Sequence, residues 1–197
     1  MRKLLLATGN QGKIEELRAL LESLKTEIII PKDIGLMQQV DETGKTYAEN
    51  AAKKALAYAK ASGYLTLADD SGLEVEALAG APGLYSARYA PKPGAADADR
   101  RAYLLQQLIP LPEPWPARFT CTAALALPNG ELHFTNGVCS GTIIEQERGE
   151  HGFGYDPIFL IPSLGKTMAE LDMDEKNAIS HRAQAVKSMI PILLSYL

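Results

Sequence analysis

The sequence predicts an α/β protein, and three observations point to this class. An apolar run at residues 4–7 passes through a small polar loop into an amphipathic pattern typical of a helix. A β-branched segment at residues 26–30 follows, which completes a strand, helix and strand unit. A second helix pattern at residues 47–61 again leads into an apolar strand, at residues 64–68. This alternation is typical of a sheet covered by helices.

Composition narrows the possible locations and partners. A chain of 197 residues, 46% of them hydrophobic, suits one large domain or two lobes that share a core. No apolar run approaches the ~20 residues that span a bilayer, and the N-terminus lacks a secretory signal pattern. We therefore expect a cytoplasmic protein without a membrane partner. The net charge of -4 argues against a nucleic-acid partner, because binding to duplex DNA requires many lysine and arginine side chains that neutralise its phosphates.

The loop after the first strand is a candidate anion site. It consists of Thr8, Gly9, Asn10, Gln11, Gly12 and Lys13. The first amides of a helix lack intrahelical partners and lie at the positive end of its dipole, so they favour phosphate. The alternative is that the two glycines only shape a tight turn. The spacing matches neither a Walker A loop nor a dinucleotide-binding fingerprint.

Two amphipathic helices follow this loop. The first has leucine and isoleucine at helical spacing over residues 14–24. The second, at residues 47–61, is rich in alanine and ends before Gly63. Glu49 lies three residues after Thr46, the spacing of a capping box, so a purely structural role is open to it.

The third strand runs into Asp69, Asp70, Ser71 and Gly72, which the residue types predict to be a turn. Two carboxylates at a strand end could hold Mg2+ together with substrate phosphates. Glu42, in an earlier acidic loop, could supply a further carboxylate. The alternative is an ordinary surface turn.

The middle of the chain predicts loops and then a hairpin. Residues 80–95 look irregular, a helix is expected at residues 98–108, and four prolines at residues 110–116 argue against regular structure. Strands at 118–127 and 132–138 flank a turn signal at residues 128–130, and another strand is expected at 142–146. Cys121 and Cys139 lie on either side of this turn. A disulfide is conceivable, but two buried thiols are favoured in a cytosolic protein.

The last quarter of the chain contains two further candidate groups. Residues 149–157 form a glycine-rich loop with two aromatic rings, which could stack on a purine or could fill the core. Lys176, His181 and Arg182 precede or begin an apolar helix in which Pro191 predicts a bend. Cations at a helix N-terminus oppose its dipole, so they predict either an anionic partner or a solvated basic patch.

Six motifs, in order, resemble the inosine/xanthosine triphosphate pyrophosphatases, also called HAM1-like or RdgB-like proteins, and most closely their bacterial form. They are residues 8–13, Glu42, residues 68–73, residues 82–89, residues 152–157 and residues 175–182. The resemblance extends over nearly the whole chain. The proline-rich stretch at residues 109–116 is matched least.

This resemblance implies a fold and an activity. The implied fold is a single ITPase-like domain over residues 1–197, with a mixed twisted sheet, flanking helices and two lobes around a central nucleotide-binding cleft. The implied protein is a cytoplasmic homodimer that requires Mg2+. It would convert dITP, ITP and XTP to the monophosphate and pyrophosphate, and so keep deaminated purines out of DNA and RNA.

The resemblance also assigns roles to residues. Asp70 would be the general base and a metal ligand, and Glu42 a second metal carboxylate, with Asp69 nearby. Arg88 is a further candidate contact. The implied substrate-binding residues are Thr8, Gly9, Asn10, Gln11, Gly12, Lys13, Ser71, Phe153, Gly154, Tyr155, Asp156, Lys176, His181 and Arg182.

Three other functions remain open from the sequence. A Maf-like nucleotide pyrophosphatase would act on other bases, a nucleotide-binding sensor would not cleave its ligand, and a kinase or phosphatase would give other products. The acidic pair argues against pure binding, because two carboxylates near a triphosphate are unfavourable without a metal.

Overall fold

A computed structural model describes residues 3–197 of the chain. It contains seven strands: β1 Lys3–Leu6, β2 Glu27–Ile29, β3 Leu65–Val75, β4 Trp115–Ala126, β5 Leu132–Ile143, β6 Phe159–Ile161 and β7 Lys166–Thr167. It contains five α-helices: α1 Gln11–Leu20, α2 Tyr47–Ser62, α3 Asp97–Leu108, α4 Met173–Ile179 and α5 His181–Tyr196.

The seven strands form one mixed sheet in the order β2-β1-β3-β4-β5-β6-β7. Strand β1 is parallel to both β2 and β3, with Leu5 opposite Ile29 on one side and Thr66 on the other. Strand β6 is antiparallel to β5 and β7. The predicted α/β class, with a mixed sheet and flanking helices, is confirmed.

Local signals account for the two N-terminal helices. Asn10 caps α1, because its side chain accepts a hydrogen bond from the Lys13 amide at 3.0 Å. Thr46 caps α2 in the same way, accepting from the Glu49 amide at 3.1 Å. The Glu49 carboxylate accepts from the Lys45 amide at 2.7 Å, one residue before the Thr46 amide that a capping box uses, so Glu49 has a structural contact at this helix start but not the reciprocal bond that its spacing allowed.

The structure corrects several predicted boundaries. The turn predicted at residues 69–72 is absent, because β3 continues without a break through those residues to Val75. Its position between β1 and β4 favours the extended backbone over the turn preference of Asp, Ser and Gly. Strand β4 already includes Pro116, and β5 joins the two strands expected at 132–138 and 142–146. The sequence had not predicted β6, β7 or α4.

The chain divides into two compact units, each with its own core. The first comprises the described residues up to Ser71 together with Cys121–Gly137 and His181–Leu197, and the second comprises Gly72–Thr120 and Val138–Ser180. Leucines of β1 and α1 pack with Val186 and Met189 of α5 in the first core. Trp115, Phe119 and Phe159 dominate the second.

Both cysteines are buried free thiols, as favoured from the sequence. Burial raises the pKa of Cys121 to about 12 and that of Cys139 to about 11, so both remain protonated at neutral pH. Within residues 3–197, no helix is both long and apolar enough to cross a lipid bilayer.

One close approach of β5 to α5 predicts a large effect of a small substitution. A methyl group at Gly137 would collide with the backbone carbonyl of His181 and would lie 2.8 Å from the Ala185 amide nitrogen. Because both obstacles are backbone atoms, Gly137→Ala should lower the free energy of unfolding by about 1–3 kcal/mol, the usual cost of overpacking. Urea unfolding followed by circular dichroism measures this change.

Ser140→Ala is the matched control, since Ser140 is exposed on the same strand and its truncation should hardly change the midpoint. Equal urea midpoints for the two variants would show that β5 and α5 can accommodate the extra methyl group without a loss of stability.

Candidate active site

The predicted site residues fall into two groups, one in each unit, and each group is described by itself. The first unit contains Thr8, Gly9, Asn10, Gln11, Gly12, Lys13, Glu42, Asp69, Asp70, Ser71, His181 and Arg182, and the second contains Phe153, Gly154, Tyr155, Asp156 and Lys176.

The loop between β1 and α1 is held by its own side chains. The Asn10 amide donates to Thr8 Oγ1 at 3.2 Å, while Asn10 Oδ1 caps the helix at Lys13. A side chain at Gly9 would meet no atom within 4 Å, so the fold itself does not require glycine there for space. This open side is where a ligand could approach the backbone. Gln11 instead donates to Glu15 at 2.8 Å, along the helix surface.

Lys13 forms an ion pair with a buried carboxylate. Its Nζ lies 2.9 Å from Asp69 Oδ2. Burial by itself raises the pKa of Asp69, but Lys13 and Arg182 outweigh burial and hold that pKa well below its ordinary value. Asp69 is therefore ionised. Its Oδ1 atom is buried and has no hydrogen-bond partner among residues 3–197.

Arg182 lies in the interior, at the first turn of α5, with only 2% of its surface exposed. Its Nε donates to Asp69 at 3.2 Å and its Nη2 to Ser71 Oγ at 3.0 Å, and its Nη1 is bound to Glu16. Burial lowers the pKa of Arg182, but the two carboxylates raise it by more. The anionic partner expected for cations at this helix start is thus Asp69 together with Glu16. His181 is buried beside Arg182 in the chain.

Asp70 has a different set of partners, because successive side chains of a strand point to opposite faces. Its Oδ2 accepts from Asn50 Nδ2 at 3.0 Å, and its Oδ1 lies 3.8 Å from Lys54 Nζ. Burial raises the pKa of the Asp70 carboxyl above its ordinary value, against the opposing effects of Lys54 and Asn50. A carboxylate with a raised pKa is a better proton acceptor than an ordinary one.

Glu42 and Asp70 surround the same cation. Lys54 Nζ lies 2.6 Å from Glu42 Oε1 and donates to the Asp69 carbonyl oxygen at 2.6 Å. Three oxygens, two of them from carboxylates, therefore converge on one ammonium group. Hard anionic oxygens are the ligands that Mg2+ prefers, so these two carboxylates have the chemistry of magnesium ligands, and in this structure both face Lys54.

The carboxylates alone would not form a complete magnesium site. Among residues 3–197, no cluster of three or more His, Cys, Asp or Glu side chains is arranged to hold a metal ion. Magnesium is commonly held by one or two carboxylates together with substrate phosphates and water. Glu42 and Asp70 could therefore hold the ion only if substrate phosphates and water supplied its other ligands.

In the second unit, the aromatic loop encloses a buried ion pair. Lys176 Nζ lies 2.6 Å from Asp156 Oδ2, which also accepts from the Phe153 amide at 2.9 Å. A side chain at Gly152 would collide with that same oxygen. The Phe153 ring centroid lies 5.3 Å from Lys176 Nζ, so one face of the ring is close to a positive charge.

Tyr155 and Phe153 differ in their surroundings. Tyr155 is buried in the second core, where its hydroxyl donates to the Ser86 carbonyl oxygen at 2.9 Å. Burial raises the pKa of Tyr155. Of the two interpretations of this loop, filling the core describes Tyr155, whereas Phe153 remains partly exposed.

Several residues of these networks were missed from the sequence. Asn50 and Lys54 are four residues apart on α2, so their shared helix face was a usable signal. Glu16 is buried on α1, four residues before Leu20, so it interrupts the apolar face of that helix. Ser86 accepts from the Leu73 amide at 2.9 Å; it lies in the motif at residues 82–89, but the sequence had suggested no role for it.

Comparison with known proteins agrees with the resemblance seen in the motifs. A model of the Ham1 family matches residues 4–192. A dITP/XTP pyrophosphatase from Desulforamulus reducens is 49% identical over 97% of this chain and 95% of its own. Another, from Bacillus subtilis, is 43% identical over 98% of each chain.

Solved structures give the same result. A HAM1 protein from Coxiella burnetii has a TM-score of 0.88 and 42% identity, covering 99% of this chain and 100% of its own. The Ham1 protein of Staphylococcus aureus has a TM-score of 0.85 and 39% identity over the full length of both chains. Similarity of this extent in sequence and in fold shows that the chain belongs to the Ham1 family.

Proposed function

We propose that this protein hydrolyses the non-canonical purine nucleoside triphosphates dITP, ITP and XTP to the monophosphate and pyrophosphate. Its close relatives from Desulforamulus reducens and Bacillus subtilis are dITP/XTP pyrophosphatases. The observation that carries the proposal is the buried Asp70 carboxyl, whose pKa is raised by burial and which lies 3.8 Å from Lys54, the lysine that also binds Glu42. This is a general base next to a cationic phosphate site. By removing deaminated purines, the enzyme would keep them out of DNA and RNA.

In the proposed reaction, Asp70 accepts a proton from a water molecule. The water oxygen forms a bond to the α-phosphorus, and the bond from this phosphorus to the bridging oxygen of pyrophosphate breaks. Pyrophosphate leaves with that electron pair. Lys13 and Lys54 offset the negative charge of the phosphate oxygens, and the amides of the β1–α1 loop bind phosphate at the positive end of α1.

Glu42 and Asp70 are the residues that would hold magnesium. When bound, the ion would supply positive charge to the phosphate oxygens and to the leaving pyrophosphate. The same family resemblance leads us to propose a cytoplasmic homodimer.

The aromatic loop of the second unit is proposed to recognise the base. Hypoxanthine and xanthine have a hydrogen-bond acceptor at position 6, where adenine has an amino donor. Lys176 is an N–H donor, so it would favour the 6-oxo bases, and a buried site of this kind can discriminate by about 10^4–10^5. Guanine also has the 6-oxo group, so its rejection must depend on its 2-amino group.

Arg182 has a more indirect proposed role. Each of its three nitrogens already has a protein partner in Asp69, Glu16 or Ser71. These contacts support a role in holding Ser71 and Asp69 in place, next to Lys13, while the substrate binds.

The proposal predicts both the products and the order of preference among substrates. With Mg2+, the protein should release pyrophosphate and monophosphate from ITP, dITP and XTP, and much less from dATP, dGTP and dTTP. Anion-exchange chromatography of the nucleotides, together with a pyrophosphate assay, measures both. Orthophosphate and diphosphate would indicate a phosphatase. Equal turnover of dATP and dITP, preferred turnover of other bases or binding without cleavage would each contradict the proposal.

A further inference from the structure

Gly154 lies at the centre of the aromatic loop, and side chains of helix α3 bind both its backbone amide and its backbone carbonyl. Its amide donates to Asp97 Oδ2 at 2.7 Å, and its carbonyl oxygen accepts from Arg101 Nη1 at 2.9 Å. Asp97 and Arg101 are four residues apart, so they lie on the same face of the helix. A single peptide segment is thus fixed through both of its hydrogen-bonding groups.

The two side chains that hold Gly154 are themselves fixed. Arg101 Nε and Nη2 each donate to the Glu147 carboxylate at 2.8 Å. This bidentate ion pair leaves Nη1 directed at Gly154. Asp97 Oδ1 is paired with Arg100, whose Nη1 also donates to the Ala95 carbonyl oxygen at 2.5 Å. The hydrogen bonds to Gly154 therefore come from groups with little rotational freedom.

Packing does not explain the conformation of Gly154. Its φ is +63°, a left-handed backbone, yet a side chain at this position would meet no atom within 4 Å. The space around the residue is open, so a shortage of room for a side chain does not account for glycine here. Two kinds of hydrogen bond restrain this residue: the turn bond from the Asp156 amide to the Phe153 carbonyl oxygen at 3.2 Å, and the bonds from α3 to Gly154 itself.

The neighbours of Gly154 show what this restraint controls. On one side, the buried Tyr155 is tied to Ser86. On the other side, Phe153 is only partly buried and lies beside Lys176 and Asp156. A change in the Gly154 peptide would therefore move Phe153 more readily than Tyr155.

We propose that Asp97 and Arg101 are positioning residues that set base selectivity by fixing the Gly154 backbone, and through it the place of Phe153 beside Lys176. This inference rests on the proposed function, in which the loop recognises the 6-oxo purine. Neither residue belongs to the motifs by which the family was recognised. Their effect should appear in substrate binding and selectivity, because the proton acceptor Asp70 is unchanged.

The test compares Arg101→Met with Arg101→Lys, and Asp97→Ala with Asp97→Asn. Methionine and alanine remove the hydrogen bond to Gly154, whereas lysine can still donate to its carbonyl and asparagine can still accept from its amide. Lys92→Met is the matched control, because Lys92 pairs with Asp99 of the same helix at an exposed site. For each protein, kcat and KM for ITP and GTP are measured, together with the thermal unfolding midpoint.

We expect Arg101→Met and Asp97→Ala to raise the KM for ITP and to lower the ITP preference over GTP by about 10- to 100-fold, the effect of misplacing a contact by about 1 Å. The value of kcat for ITP should largely be retained. Arg101→Lys and Asp97→Asn should recover part of the preference, and Lys92→Met should behave like the wild type.

Three outcomes would overturn this inference. The first is an unchanged KM and preference in folded Arg101→Met and Asp97→Ala. The second is an equal loss for ITP and GTP that follows the unfolding midpoint and is not recovered by lysine or asparagine. The third is a wild type that releases no pyrophosphate from ITP, which would overturn the proposed function itself. If Arg101→Met fails to fold, the Asp97 pair decides alone.

Discussion

Asp70→Asn is expected to lower the rate of pyrophosphate release from ITP by at least about 10^2- to 10^4-fold, the usual contribution of a positioned general base. Asparagine keeps the size of the side chain and can still accept the hydrogen bond from Asn50, but it cannot take a proton from water. Binding of ITP should largely be retained, and isothermal titration calorimetry with the inactive variant measures it. Retained turnover would remove Asp70 as the base.

The pH dependence of the wild type gives an independent view of the same group. Because the pKa of Asp70 is raised by burial, the carboxyl becomes protonated at a higher pH than an exposed aspartate. A protonated carboxyl cannot act as a base, so kcat/KM should fall as the pH decreases through this raised pKa. Asp174→Asn, at an exposed position on α4, should leave both the rate and the pH profile unchanged.

As the pH rises through the pKa of Asp70, the stability of the folded state should decrease while the activity increases. The folded state holds the Asp70 proton more tightly than the unfolded state, so ionisation of Asp70 costs stability as the pH rises through its folded pKa. Asp70→Asn avoids this cost at neutral pH. The variant should therefore unfold at the same temperature as the wild type or a higher one, so lost turnover could not be attributed to unfolding.

The sequence predicted those parts of the fold that local signals determine. Asn10 and Thr46 mark the starts of α1 and α2, and both residues act as caps in the structure. The strands β6 and β7 and the helix α4 were missed because they have only 3, 2 and 7 residues, too few to show a period. The turn expected at Ser71 and Gly72 was wrong, because pairing in the sheet decides the conformation of such residues.

In the candidate site, too, local sequence signals revealed some features and only the tertiary fold revealed the others. Its chemical groups could be named from motifs, since Lys13, Asp70 and Arg182 each stand in a short recognisable pattern. Their partners could not be named, because Glu16 and Arg182 are 166 residues apart in the chain. Only the fold brings these two charges together. A motif therefore indicates which residues have a role, whereas the tertiary contacts indicate how each residue is held.

The second large effect is expected from Arg182→Met. Removing this guanidinium leaves Glu16, only 3% exposed, and Asp69 without the cation that joins them. Breaking a buried ion pair in this way costs about 3–5 kcal/mol, because both carboxylates stay buried with less compensating charge, although Asp69 keeps Lys13. For a chain of this size, the loss corresponds to a fall in the unfolding midpoint of about 6–20 °C. Differential scanning calorimetry and urea unfolding measure it.

Lys3→Met is the matched control for the loss of a paired cation. Lys3 pairs with Glu27 at 2.9 Å, but both side chains are well exposed, at 36% and 48%. Exposed ion pairs contribute little to stability, so the midpoint of this variant should stay close to that of the wild type. Similar decreases in the unfolding midpoint of the two variants would show that burial does not increase the contribution of the Arg182 ion pairs to stability.

Acidification should separate the charge effect from the loss of packing. The folded-state pKa of Asp69 is depressed, so the ionised carboxylate contributes stability above its unfolded value of 3.8 and loses that contribution as the pH falls below it. Without Arg182 the depression is smaller, so this contribution is smaller too. The gap in free energy of unfolding between the wild type and Arg182→Met should therefore be widest near neutral pH and should narrow below about pH 4. A gap that stays constant with pH would assign the effect to lost packing of the arginine side chain.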